Sequence, residues 1–127
     1  MDLDDLWPGL QPVEPGDHAD LDPDAGRWFL AGDPLLMLVA IGVDGLTVAE
    51  PRIDWDGPGT PVLRAVDAVV VDLTVARAAV ARTVDQRRAR FRTCVECERL
   101  LPPEHLGGMD GEILCHGCMT ANHGVVF

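Results

Sequence analysis

Four cysteines near the C-terminus restrict this chain more than any other feature. They stand as Cys94-Val-Glu-Cys97 and Cys115-His-Gly-Cys118, a C-x2-C-x17-C-x2-C pattern. Two short turns that each present a pair of thiolates suit an ion that takes four soft ligands in a tetrahedron, and this spacing is a structural-zinc signature. Zinc is therefore the expected cofactor, with Cys94, Cys97, Cys115 and Cys118 as its ligands. A four-thiolate iron site uses the same residues and stays open as an alternative. Disulfides need an oxidising compartment, and a thioredoxin-like pair needs one C-x-x-C opening the helix of a βαβ unit; both fit less well.

The segment between the cysteine pairs must return the chain. Asp110-Gly111 supplies a hairpin signal, because a type I′ turn takes positive φ at both central positions. Ile113 and Leu114 lead into the second pair, and Met119 to His123 reads as a short helix stopped by Gly124. Val125, Val126 and Phe127 form an apolar tail suited to cover it. Knuckle, hairpin, knuckle and short helix follow in the order of a treble-clef zinc finger, and residues 94–124 resemble one. The seventeen-residue spacing is similar to that of GATA-type fingers and of the finger in DksA/TraR-like transcription regulators. The resemblance covers about a quarter of the chain and implies a metal site; a site closed by four cysteines leaves no position for a reactive water.

Upstream, Thr60-Pro61 reads as a helix start, and Val62, Val66, Val69, Leu73, Ala76, Val80, Val84 and Phe91 recur with a period near 3.6. The pattern predicts one long helix over Asp67 to Phe91, although the β-branched run Val69-Val70-Val71 also allows a strand over Asp67 to Val75. Arginines gather at its end, and Arg87, Arg88, Arg90 and Arg92 stand just before Cys94. They complement the negative end of a helix dipole, neutralise acids elsewhere in the chain, or form a patch for phosphate or acidic groups. This last reading makes them candidate binding residues.

Before that helix, Leu35 to Val43 and Leu46 to Glu50 flank Asp44-Gly45 as a β-hairpin, ended by Pro51. The first strand is apolar on both faces, so each face needs a cover. The helix can supply one; the N-terminal tail, a second subunit or a partner protein the other. Asp54 to Gly59 reads as a linker, and residues 1–27, acidic and rich in proline, as a loosely ordered tail. The expected class is α+β: a β-hairpin packed with one long helix over residues 28–92, then a treble-clef-like zinc subdomain over 93–127.

Charge narrows the function. The net charge is −11, and residues 1–56 hold thirteen acids against Arg27 and Arg52, while residues 57–127 balance eight with eight. An acidic chain is repelled by polyanions at long range, which makes direct nucleic-acid binding doubtful. The chain contains no Ser, which excludes serine-nucleophile chemistry, and no H-E-x-x-H, Walker A or G-x-G-x-x-G motif. The aspartates Asp20, Asp22 and Asp24 lack the later ligands of a calcium loop. His116 and His123 read as groups beside the metal or at the surface. The acidic N-terminus differs from a secretory signal, and Pro34 to Val43 is too short to span a bilayer, so a cytoplasmic protein is expected. The sequence points to a non-enzymatic zinc protein. Its role is a regulatory module on a transcription or translation machine such as RNA polymerase or the ribosome, or a protein–protein adaptor with structural zinc.

Overall fold

The computed structural model describes residues 3–14, 18–43, 45–55, 60–72 and 74–125. The chain divides into two compact units, Met1–Arg87 and Arg88–Phe127. In the first, α1 (Leu3–Leu6) precedes β1 (Gln11–Pro12), β2 (Ala19–Asp20), a 3-10 turn (Pro23–Ala25) and β3 (Arg27–Ala31). Then come β4 (Met37–Gly42), β5 (Gly45–Trp55), β6 (Pro61–Val71) and α2 (Ala76–Arg88). The strands form one sheet in the order β1-β3-β4-β5-β6-β2, antiparallel except where β2 joins β6.

Strand β4 is the dry centre of this sheet. Met37, Leu38, Val39 and Ala40 have no exposed surface, so both faces are covered. One cover comes from the N-terminal segment: Trp28, Leu38, Ala40, Ala49 and Leu63 form a cluster onto which Val13, Ala19 and Leu21 pack. The Trp28 indole N–H donates to the Asp22 carbonyl at 2.8 Å, tying that segment to β3. Burying each large side chain here contributes roughly 1.5–3 kcal/mol. Gly26 is required where β3 begins, because its φ is +116° and a Cβ there would stand 1.9 Å from the Ile41 carbonyl oxygen.

The single long helix expected over Asp67 to Phe91 is corrected to a strand followed by a helix. Residues 61–71 are β6, paired with β5 from Trp55↔Pro61 to Leu46↔Val71. Pro61 opens a strand, a position where its missing N–H is tolerated, and the β-branched valines prefer the pleated surface. The period of 3.6 misled because β6 carries an extra residue: Val48 pairs Val69 while Glu50 pairs Val66, and Asp67 takes a positive φ of 53°. That bulge shifts which side chains share a face. A turn then separates strand from helix, with the Asp72 carboxylate accepting from the Thr74 N–H at 2.9 Å and from its hydroxyl. These bonds hold the Asp72 carboxyl below its ordinary range. Leu73 lies outside the described residues.

Two other expectations change. β5 runs on past Pro51, which pairs with Ala65. Beyond Ala49 no residue of β4 pairs with β5, so a proline at this point interrupts no ladder on that side. Asp54 and Trp55 belong to β5 and pair with Val62 and Pro61, while 56–59 of the expected linker lie outside the described residues. The expected hairpin is present as β4 and β5, with Asp44 of its turn outside the described residues. Strand β3 was not foreseen; it follows an acidic, proline-rich stretch that masks its Trp-Phe-Leu core. Among the described residues no helix is long and apolar enough to cross a membrane.

The second unit contains β7 (Arg92–Thr93), β8 (Leu100–Leu101), a 3-10 turn (Pro103–His105), β9 (Leu106–Met109), β10 (Glu112–Cys115) and α3 (His116–His123). β7 pairs with β8 and β9 with β10, both antiparallel. Cys94, Leu101, Leu114, Cys115 and Met119 form its small core, with Leu106, Met109 and Val125 against it. Val126 and Phe127 lie outside the described residues.

The central packing of β4 is testable. Leu38→Ala removes a wholly buried side chain and should lower stability in urea by about 3 kcal/mol, whereas Val70→Ala, at a position 69% exposed, should change it by under about 0.5 kcal/mol.

Candidate metal centre

The first cysteine pair sits at the tip of the β7–β8 hairpin. The Cys94 N–H donates to the Arg99 carbonyl at 3.0 Å and the Cys94 carbonyl accepts from Glu98 at 2.9 Å. Glu98 closes the turn with a φ of +61°. The Cys97 N–H points at the Cys94 sulfur, 3.5 Å away. The second pair repeats this device at a helix start: Cys115 ends β10 and caps α3, and the Cys118 N–H points at the Cys115 sulfur at 3.3 Å. The N–H aimed at the Cys94 sulfur favours its thiolate.

Between the pairs, β9 and β10 return the chain as the sequence implies. Asp110 and Gly111 both take positive φ, 52° and 81°, the requirement of a type I′ turn. Gly124 stops α3 with a left-handed φ of 68°. The Val95 N–H donates to the Ile113 carbonyl at 3.0 Å, joining the first knuckle to β10. Glu96 reaches the far end of α3, accepting from Asn122 Nδ2 at 3.0 Å and meeting His123 Nε2 at 2.8 Å. These two partners, His123 foremost, hold the Glu96 carboxyl below the usual carboxylate range.

The result is one cluster of four sulfurs, from Cys94, Cys97, Cys115 and Cys118, all within 4.8 Å of one another. Cys97 Sγ and Cys115 Sγ are 3.8 Å apart. A tetrahedron with metal–sulfur bonds of ~2.3 Å has edges of about 3.8 Å, so the spacing fits a divalent ion with four thiolate ligands. Cys94 and Cys115 are buried, while Cys97 is exposed and Cys118 lies between. The cluster can hold a metal ion, and it contains no histidine.

The thiols have unequal proton affinities. The Cys97 N–H above all brings the Cys94 thiol down to about 6. Its neighbour Cys115 above all pushes the Cys118 thiol up to about 12, with burial and the other sulfurs adding to the effect. Four thiolates so close repel one another, and a divalent cation removes that repulsion. Loading therefore releases protons.

The four arginines divide differently from expectation. Arg87 is corrected from a candidate binding residue to a structural one: its side chain is 2% exposed and its Nε donates to the Leu35 carbonyl at 3.1 Å. It continues the buried stripe of Ala76, Ala79, Val80, Thr83 and Val84 on α2. Arg92 is exposed, and its guanidinium donates to the carbonyls of Ala89 and Phe91 at 2.7 and 2.8 Å. Those bonds satisfy backbone groups where the helix ends. Arg88 and Arg90 are exposed. Asp22 and Asp24 serve a turn, with Asp22 Oδ1 accepting from the Asp24 N–H. Among the described residues no other group of His, Cys, Asp or Glu converges as a metal site.

Metal affinity should rise with pH. Cys97 and Cys118 both sit above the ordinary thiol range and carry protons at neutral pH, so acid competes with the metal for these sulfurs. Competitive titration with a chromogenic chelator should show zinc affinity rising by at least about two log units per pH unit between pH 6 and 8; a flat profile contradicts thiolate ligation. Of the arginines, Arg87→Gln should lower the melting temperature measurably and Arg88→Gln should leave it unchanged.

Comparison with protein-family models, curated proteins and solved structures finds no match to this chain, so its function is read from the centre and its surroundings.

Proposed function

We propose that the chain is a non-enzymatic binding module whose C-terminal unit is held by a structural zinc ion and docks on another protein. The four-sulfur cluster carries this reading. Four thiolates fill a tetrahedral shell, and a filled shell offers no position for substrate or water. Zinc suits them because the spacing and the two backbone-supported knuckles match its structural sites, and four unpaired thiols suit a reducing, cytoplasmic setting. The order of knuckle, hairpin and short capped helix supports a treble-clef reading of residues 94–124.

Two observations favour a protein partner over nucleic acid. Arg87 is buried, and Arg92 is engaged with main-chain carbonyls, which leaves a thinner basic surface than the sequence implies. Beside the first knuckle, Val95 and Ile113 are exposed on neighbouring backbone, an apolar contact surface next to the metal. A protein component of a transcription or translation machine is the partner class in keeping with the finger's resemblance; an adaptor in another assembly is the second reading.

Elemental analysis of the purified chain should give one zinc per molecule, and iron in its place overturns the metal assignment. Cys115→Ser should leave the C-terminal unit unfolded in NMR spectra, because metal binding in such sites supplies on the order of 10 kcal/mol. Affinity purification with nuclease treatment should retain a protein partner that Ile113→Asp releases. Loss of all partners on nuclease treatment refutes the protein-docking reading.

A further inference from the structure

We propose that the first unit carries a binding site for a guanidinium group on an aliphatic stem. A cavity of about 440 Å³ lies between the N-terminal segment and the β3–β4 connection, lined by Trp7, Pro8, Gln11, Leu30, Asp33 and Leu35 among others. That volume falls within the range of small-ligand sites. Its chemistry is divided: Leu30, Leu35 and Pro8 offer apolar wall, while Trp7, Gln11 and Asp33 offer polar groups.

Of these, Gln11 and Asp33 are exposed. Trp28, whose indole N–H is bonded to Asp22, shows how this fold satisfies a buried indole. Trp7 is half-buried, and among the described residues nothing accepts from its N–H. No cation among the described residues pairs with the Asp33 carboxylate. A half-buried indole and an exposed carboxylate lining one cavity are a composition that recognises an organic cation: the ring attracts positive charge and the carboxylate accepts charge-assisted hydrogen bonds. A guanidinium suits both, since its plane stacks on aromatic rings and its fork matches a carboxylate. The apolar wall takes the methylene stem. The sequence charge of this half acts in the same direction, because residues 1–56 hold thirteen acids and two arginines, and a net negative charge favours cations over anions.

The source of the guanidinium is either a free small molecule or an arginine side chain of a peptide. Both present the same group, and two probes separate them. The chain contains three tryptophans, so its indole N–H region in a proton–nitrogen spectrum is simple, with Trp7 assigned through Trp7→Phe. Butylguanidinium and the peptide acetyl-Gly-Arg-Gly-amide are titrated separately into the full zinc-loaded chain. The expected result is a saturable shift of the Trp7 signal with both, while the Trp28 signal stays fixed. Tighter binding of butylguanidinium assigns the site to a free ligand, and tighter binding of the peptide to an arginine side chain. Butylurea, of the same shape without the charge, should produce no saturable shift. Asp33→Asn should raise the dissociation constant about tenfold with the melting temperature unchanged. A non-saturating response to both probes, an equal response to butylurea, or an unaltered constant in Asp33→Asn overturns the proposal. The butylurea comparison uses the unmodified chain, so the outcome does not depend on the variant folding.

Discussion

Four sulfurs held within 4.8 Å are the constraint on which the C-terminal unit depends. Unmetallated, such a group sets like charges against one another; bound to a divalent ion, it becomes the strongest set of contacts in the unit. The surrounding apolar core is small, with Leu101, Leu114 and Met119 as its buried non-cysteine members. A core of that size leaves a unit of this length marginal without a staple. Each local device serves the sulfurs: the αL residue Glu98 turns the first knuckle, Asp110-Gly111 returns the chain, and Cys115 both ends a strand and caps a helix.

The first unit rests on a different physics. Residues 37–40 of its central strand expose nothing on either face, so the sheet has to be covered twice there, and the acidic N-terminal segment supplies one cover through Val13, Ala19 and Leu21. Short pairings at both sheet edges, Gln11–Pro12 with β3 and Ala19–Asp20 with β6, fix that segment with few residues. High charge and frequent proline are compatible with this because the apolar anchors are isolated, and Glu14 and Asp20 between them are exposed.

How much was legible follows from the range of the signals. The cysteine pairs and the Asp110-Gly111 turn are local, each decided by a few adjacent residues, and they could be read directly. The β4–β5 hairpin was legible for the same reason. The helix over Asp67 to Phe91 was misread because a bulge at Asp67 breaks the period of two, so a strand mimics helical spacing. Arg87 shows a second limit, since residue type alone does not separate a surface charge from a buried one. Its spacing did contain the signal: Val80, Val84 and Arg87 recur at four and three residues, which places the arginine on the buried stripe of α2. The Trp7 cavity has no local signature, because its lining comes from two segments, residues 7–11 and 30–35, that are distant in sequence.

The bulge in β6 has a consequence for the behaviour of the chain in concentrated solution. Strand β2 covers β6 only at Leu63 and Arg64, and among the described residues the remainder of that edge pairs with nothing. An open edge ending in Val69-Val70-Val71 is a template for strand addition by other copies, the first step toward fibrils. Asp67 interrupts it with a left-handed backbone and an exposed charge, breaking the regular row of N–H and C=O groups that an incoming strand needs. The irregularity that obscured the strand in the sequence also guards it against aggregation.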